Sequence, residues 1–307
     1  MTRHFLSLFD WSPEELRAML DRAAKLKAAR GKPTRGKLPL AGKTVALIFE
    51  KASTRTRVSF EVGVRELGGH PMFLSAKDSQ LGRGEPIRDT ARVLSRYVHL
   101  ILLRTFAQET LDELARYATV PVINGLSDKL HPCQVMADLQ TIVEQQGPPL
   151  ERCTIAWVGD GNNMANTWIE AAAQFGFRLR VACPPAFQPD AGVLAEARRR
   201  GGRIELFDRP ERAVEGADVV NTDVWASMGQ EADAERRRQA FAGFTVDDAL
   251  MARANPGAIF LHCLPAHRGE EVTDAVIEGP ASRVWDQAEN RLHVQKAILE
   301  RLIQTVD

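Results

Sequence analysis

Val45-Ala46-Leu47-Ile48-Phe49 runs directly into Glu50-Lys51-Ala52-Ser53-Thr54-Arg55-Thr56-Arg57. Five apolar residues without alternation read as a strand buried on both faces, the habit of parallel sheets. A helical pattern over Arg57–Leu67 follows. Where a strand gives way to a helix, backbone N–H groups of the first helical turn point outward and attract anions. Ser53–Arg57 adds three hydroxyls and two arginines in five residues. That is more than a helix cap requires, so the segment predicts an anion site best suited to phosphate. A well-capped helix with surface arginines is the competing interpretation.

The same alternation extends outward. Strands are expected at Leu100–Leu103, Val120–Ile123, Thr154–Val158, Arg180–Ala182, Ile204–Phe207, Val219–Asn221 and Ile259–Leu261. Helices are expected at Ile87–Tyr97, Thr110–Tyr117, Gln134–Gln145, Ala165–Gln174, Ala191–Arg200 and Val246–Ala252. An earlier helix starts at Ser12-Pro13 with Glu15 closing a capping box, and it sets Leu16, Met19, Leu20 and Ala23 on one face. The basic stretch Arg30–Lys37 ends it and reads as a solvated loop. Strand–helix alternation of this kind implies an α/β fold of two doubly wound parallel sheets, with Gly147-Pro148-Pro149 as the boundary. Ligands in such folds lie at the carboxyl ends of strands.

Composition narrows the function. The 307 residues carry 40 Lys plus Arg against 40 Asp plus Glu, a formal charge of zero. Nothing in that balance draws the whole chain to nucleic acid or to an anionic membrane. Cys133, Cys153, Cys183 and Cys263 show no CxxC spacing, which fits a reducing compartment rather than a disulfide scaffold. No apolar run approaches the roughly 20 residues of a membrane helix. Met1–Phe9 lacks signal-peptide features, so a cytoplasmic protein is expected.

Other strand ends are also polar. Leu100–Leu103 ends in Arg104, unremarkable alone. After Val120–Ile123 come Asn124, Ser127, Asp128 and His131-Pro132-Cys133-Gln134, where His and Gln at a helix start suit a carbonyl. Gly159-Asp160-Gly161-Asn162-Asn163-Met164 suggests a dinucleotide loop at first sight. A full GxGxxG is missing, and no acidic residue closes a strand about 20 residues on, which argues against nicotinamide binding. In Thr222-Asp223-Val224-Trp225-Ala226-Ser227-Met228-Gly229, the Asp suits an ammonium and the Gly-ended loop a carboxylate; a plain turn is the alternative. His262-Cys263-Leu264-Pro265-Ala266-His267 leaves open a metal site of His262, Cys263 and His267, or an inert buried Cys. Glu289-Asn290-Arg291-Leu292-His293 opens the last helix.

In this order, over essentially the whole chain, the segments resemble the aspartate/ornithine carbamoyltransferase family. Ser53–Arg57 with His131–Gln134 resembles its paired carbamoyl phosphate signature. Asp78-Ser79-Gln80-Leu81-Gly82-Arg83-Gly84-Glu85 resembles its mobile loop. The Asn-Asn-Met and Ser-Met-Gly elements resemble those of members that use ornithine; a member using aspartate would carry basic residues in the latter. Ala52 departs from the larger polar residue of many members, and Thr167-Trp168 also varies within the family.

The resemblance implies a carbamoyl phosphate-binding domain at 1–148, an ornithine-binding domain at 149–290, and a C-terminal helix at 291–307 packing back on the first. It implies carbamoyl transfer from carbamoyl phosphate to the δ-amine of L-ornithine, giving L-citrulline and phosphate. Arg104, His131 and Cys263 would be catalytic. Ser53, Thr54, Arg55, Thr56, Gln80, Gln134, Leu264 and Arg291 would join them around carbamoyl phosphate. Asn163, Asp223, Ser227 and Met228 would hold ornithine. The expected partners are these two substrates and further copies of the chain in a homotrimer or a multiple of it; no metal or organic cofactor, nucleic acid or membrane is expected. Carbamoyl transfer to putrescine or an acylated ornithine, a non-catalytic binding protein of the same fold, and a dehydrogenase are the alternatives.

Overall fold

The structure is a computed structural model that describes residues 2–32, 36–75, 84–147, 149–226 and 233–305. Two compact units divide it: Met1–Gln140 with Glu289–Asp307, and Thr141–Ala288.

The first unit holds strands β1 (Thr44–Phe49), β2 (His70–Ser75), β3 (Leu100–Arg104) and β4 (Val122–Leu126). Its helices are α1 (Pro13–Ala28), α2 (Thr54–Glu66), α3 (Ile87–Leu94), α4 (Gln108–Tyr117) and α5 (Pro132–Gln146), the last continuing into the second unit. The capping box forms: Ser12 Oγ accepts from Glu15 N–H, and Glu15 reaches back to Ser12 N–H. Leu16, Met19, Leu20 and Ala23 are all buried. Removing each Leu or Met side chain from water contributes about 2 kcal/mol.

The four strands run parallel in the order β2-β1-β3-β4. Strand β2 escapes the sequence reading because Pro71 interrupts its run. A proline is tolerated there because β2 is the sheet edge, where not every N–H is needed for pairing. Strand β4 starts at Val122, not Val120, and extends to Leu126 past a register shift opposite Leu103/Arg104.

The second unit holds β5 (Thr154–Val158), β6 (Arg178–Ala182), β7 (Arg203–Phe207), β8 (Val219–Thr222) and β9 (Ile259–His262), parallel in the order β7-β6-β5-β8-β9. Its helices are α6 (Asn163–Phe175), α7 (Ala191–Arg199), α8 (Pro210–Val214), α9 (Ala234–Ala240), α10 (Asp248–Met251) and α11 (Asp274–Glu278). Helices α8, α9 and α11 span five to seven residues, too short to show a 3.6-residue period. The helix expected at Val246–Ala252 shrinks to α10, because Asp247 caps it and Val246 bridges to Val272.

Helix α12 (Val284–Ile303) begins before Glu289, where the sequence reading opened it, and returns the chain to the first unit. There Arg301 pairs with Glu15 at 2.9 Å, Arg22 with Glu300 at 2.9 Å and Lys296 with Glu66 at 2.6 Å. Gly63 makes room for this packing: a Cβ there would lie 3.3 Å from Lys296 Cγ. Among the described residues, no helix is long and apolar enough to cross a membrane.

Each sheet reverses its winding once, between β1 and β3 and between β5 and β8. Loops leaving such a pair of strands diverge and open a crevice at their carboxyl ends.

Candidate active site

In the first unit, Phe49 stands in register with Arg104, and Arg104 with Leu126, so the ends of β1, β3 and β4 lie side by side. The predicted anion loop leaves the first of these. Ser53 is the N-cap of α2, its hydroxyl accepting from Thr56 N–H at 3.3 Å. Ser53 Oγ donates to Thr56 Oγ1 at 3.0 Å, and Arg291 Nη2, from α12, donates to the same oxygen at 2.7 Å. With two donors aimed at it, the Thr56 hydroxyl keeps its own hydrogen for a ligand oxygen. Thr56, Arg104 and Arg291 are buried; Thr54 and Arg55 are exposed, and Arg55 has no ion-pair partner among the described residues.

His131 immediately precedes α5 and is buried. Burial first, then the charges of Arg291 and Arg104, hold its pKa well below the usual histidine value. The ring is therefore neutral at neutral pH and can offer one N–H. In the first turn of α5, Gln134 Nε2 donates to Asp138 Oδ1 at 2.7 Å. A carboxylate only accepts, so the contact turns the amide nitrogen inward and leaves Gln134 Oε1 as a buried acceptor with no partner among the described residues. Such an oxygen suits an NH2 group on a ligand.

Lys51, which the sequence reading did not single out, ties two of these loops together. Its ammonium donates to Asp128 Oδ1 at 2.7 Å and lies 4.6 Å from the centre of the Phe106 ring. The Thr105 hydroxyl also donates to Glu50.

In the second unit, Val158, Thr222 and His262 share a register across β5, β8 and β9, so the segments beginning at Gly159, Asp223 and Cys263 leave the same edge. Asp223 is the meeting point. Its Oδ1 accepts from Val224 N–H at 2.8 Å and from Cys263 Sγ at 3.1 Å; its Oδ2 accepts from Asn162 Nδ2 at 3.0 Å. Asp160, in the Gly-Asp-Gly loop, pairs with the buried Arg237 at 2.7 Å. Burial outweighs that pairing, and with Asp223 adding repulsion it pushes the Asp160 carboxyl up to about 6. Arg237 also donates to the Trp225 carbonyl at 2.6 Å.

The His262–Pro265 segment is held by its first residue. Leu264 N–H donates to His262 Nδ1 at 2.9 Å, so the ring hydrogen sits on Nε2 and faces Glu271 Oε1 at 3.0 Å. Leu264 stands at φ +57°, a left-handed conformation that a leucine rarely adopts. Cys263 is half-buried and carries its thiol to Asp223. The metal set considered from sequence does not assemble: His267 groups with Glu270 and Glu271, whereas His262 and Cys263 group with Asp223. Both ring nitrogens of His262 are already engaged.

The anticipated residues thus divide between the two units. Ser53, Thr54, Arg55, Thr56, Arg104, His131, Gln134 and Arg291 belong to the first unit, and Asn163, Asp223, Cys263 and Leu264 to the second. Gln80, Ser227 and Met228 lie outside the described residues. The sequence reading missed Lys51, Asp138, Asn162, Arg237 and Glu271 as supporting groups. Only Asn162 carried a signal, as an N-cap residue before an apolar helix.

Two parallel-sheet units, one with a cationic, hydroxyl-rich switch point and one with a carboxylate at its own, define a two-domain α/β protein with one set of groups for an anion and another for a cation. Residues 3–144 match the family described as aspartate/ornithine carbamoyltransferase, carbamoyl-P binding domain, and residues 151–302 match its Asp/Orn binding domain. The chain belongs to the aspartate/ornithine carbamoyltransferase family. Within it, the chain is 60% identical over 304 residues to the ornithine carbamoyltransferase of Pelobacter propionicus, covering 99% of both. It is 58% identical over 307 residues to that of Geobacter sulfurreducens, covering 99% of this chain and 100% of the relative. Among solved structures, the ornithine carbamoyltransferase of Pyrococcus furiosus matches with a TM-score of 0.91 at 51% identity, over 97% of this chain and 96% of that one. The anabolic ornithine carbamoyltransferase of Campylobacter jejuni matches with a TM-score of 0.93 at 43% identity, over 99% and 100%.

Proposed function

We propose that this chain transfers the carbamoyl group of carbamoyl phosphate to the δ-amine of L-ornithine, giving L-citrulline and phosphate. The observation that carries the reading is the first unit's switch point, where the start of α2, Thr56 with Arg291, Arg104 and a neutral His131 surround one strand edge.

Phosphate sits on the helix start at Ser53–Thr56, and Arg55 and Arg104 offset its charge, about two negative units. Thr56, Arg104 and His131 donate to the carbonyl oxygen, where negative charge grows as the amine attacks. Neutrality suits His131: it supplies an N–H without a cation that the neighbouring arginines would oppose. Gln134 Oε1 accepts from the carbamoyl NH2, and the Leu264 carbonyl serves the same group. Arg291 holds Thr56 and contacts carbamoyl phosphate, and Gln80 reaches it from a neighbouring subunit.

Ornithine is held by Asn163, Asp223, Ser227 and Met228, with the Asp223 carboxylate on its α-ammonium. Its δ-amine has a lysine-like pKa near 10 in water and must lose a proton to attack. Desolvation beside bound cations lowers that value. Cys263, with Asp223 behind its thiol, helps position the amine. The adduct collapses with cleavage of the bond from carbon to the phosphate oxygen, and the departing phosphate takes the proton. Positioning and fixed dipoles account for most of the rate.

The domain roles follow: residues 1–148 for carbamoyl phosphate, 149–290 for ornithine, and the helix 291–307 to bring Arg291 to Thr56. We place the enzyme in the cytoplasm as a homotrimer or a multiple of it.

The test is citrulline formation measured with ornithine beside putrescine, aspartate and N-acetylornithine. Ornithine should be the preferred acceptor by orders of magnitude; preference for another amine sinks the substrate assignment. Arg55→Ala should weaken carbamoyl phosphate binding by about 100-fold, the loss of a charge-assisted contact of roughly 3 kcal/mol. Unchanged binding would remove Arg55 from the phosphate site.

A further inference from the structure

We infer that Asn162 is a positioning residue for the amino-acid substrate, because a single side-chain amide both caps α6 and orients the Asp223 carboxylate. The inference rests on the proposed role of Asp223 as the ammonium partner. Asn162 Oδ1 accepts from Met164 N–H at 2.9 Å and Ala165 N–H at 3.3 Å. Those two donors fix which way round the amide sits. Nδ2 is thereby turned outward, and it donates to Asp223 Oδ2 at 3.0 Å.

Capping alone does not call for asparagine. Ser and Asp cap helices about as well, but neither offers an N–H on the far side. Asparagine is the small side chain that accepts at the helix with one atom and donates to a carboxylate with another.

The consequence falls on Asp223. A carboxylate has about four lone-pair sites. Val224 N–H and Cys263 Sγ occupy Oδ1, and Asn162 occupies one site on Oδ2. Among the described residues, one site on Oδ2 remains for a substrate ammonium. Its direction is set by where Asn162 sits, since the carboxylate rotates until Oδ2 meets the amide. Asn162 thus acts on the substrate through Asp223 without touching it, and its effect is confined to the second unit's site.

The test uses cap-preserving substitutions in the full-length enzyme. Asn162→Ser keeps a capping oxygen but loses the amide N–H, since its own hydroxyl ends one bond short of the Nδ2 that reaches Asp223; Asn162→Asp keeps the cap and places a like charge beside Asp223. Both should melt close to wild type and bind carbamoyl phosphate, measured by calorimetry, with unchanged affinity. The ornithine KM should rise about 10-fold for Asn162→Ser, matching one hydrogen bond to a charged group, and further for Asn162→Asp. Asn162→Gln, whose longer amide can still donate, should recover part of the loss. A wild-type ornithine KM in Asn162→Ser overturns the inference and leaves Asn162 as a cap alone. Equal losses on carbamoyl phosphate and ornithine overturn it too, since they would mark a general disturbance. If the unaltered enzyme makes no citrulline, the reading beneath the inference fails, and that outcome is separable because it needs no variant.

Discussion

At the β1–β3 switch point, three hydroxyls and two arginines come from five consecutive residues, Ser53–Arg57. At the β5–β8 crossover the polar groups come from three separate loops: Asn162 and Asp223 stand 61 residues apart, Asp223 and Cys263 a further 40. The first region gathers cations and hydroxyl donors; the second gathers donors around one carboxylate. The contrast follows from what each must hold. A helix start with backbone N–H groups and hydroxyls is already an anion site, so a local run suffices. The group placed for an ammonium in the second region is a side-chain carboxylate, not backbone. A carboxylate has to be brought in and then aimed by neighbours that only the sheet order makes adjacent.

If that contrast is right, damage to the second region should spare the first. The largest effect is expected from Gly161→Ala. A Cβ there would lie 2.3 Å from both Gln188 C and Pro189 N, backbone atoms that cannot swing aside. The change should cost about 3 kcal/mol of stability through overpacking and reduce turnover with ornithine by roughly 100-fold, about 2.7 kcal/mol of barrier, while carbamoyl phosphate binding survives. An equal loss of carbamoyl phosphate affinity would break the separation of the two regions.

A smaller effect concerns acid, and here the two regions should behave oppositely. The folded pKa of His131 is lowered, so its contribution to stability is present above the unfolded value near 6.5 and is lost as pH falls below it. The folded pKa of Asp160 is raised to about 6. Its contribution is present below the unfolded value near 4 and is lost as pH rises through about 6. Denaturant unfolding from pH 4 to 8 should therefore show His131→Asn flattening the fall of stability on the acid side. Asp160→Asn should instead flatten the fall toward neutrality. Identical slopes in both variants would contradict the assignment of opposite environments.

The smallest effect belongs far from either site. The Arg22–Glu300 pair joins α1 to α12, and the Arg22 side chain is 44% exposed. Arg22→Ala should cost no more than about 0.5 kcal/mol in a thermal melt and leave both substrate affinities alone, because exposed ion pairs are screened.

The legibility of the chain divides along similar lines. The α1 cap, the strand β1, the buried strands of both sheets and the segments carrying Arg55, His131 and Asp223 all announce themselves within a few residues. Strand β2 does not, because Pro71 contradicts strand propensity and only its edge position makes it acceptable. Nor do α8, α9 and α11, whose length falls below two helical periods. The pairing of His267 with Glu270 and Glu271 could not be anticipated either, since spacing alone set it beside His262 and Cys263. Asp138 behind Gln134, Lys51 beside Asp128 and Arg237 beside Asp160 were invisible as functional supports, for each depends on where a distant or neighbouring turn aims a side chain.

The amino-acid order alone determined the alternation of strands and helices, the parallel sheets and the anion-loving loop after β1, because hydrophobic runs, caps and hydroxyl-rich helix starts act over a few residues. The folded arrangement alone decided that Arg291 meets Thr56 across 235 residues, that Asn162 meets Asp223, and that burial holds the His131 pKa well below the usual histidine value. Those outcomes depend on burial and on contacts between remote segments, and both arise only when strand order has been set by the packing of the whole sheet.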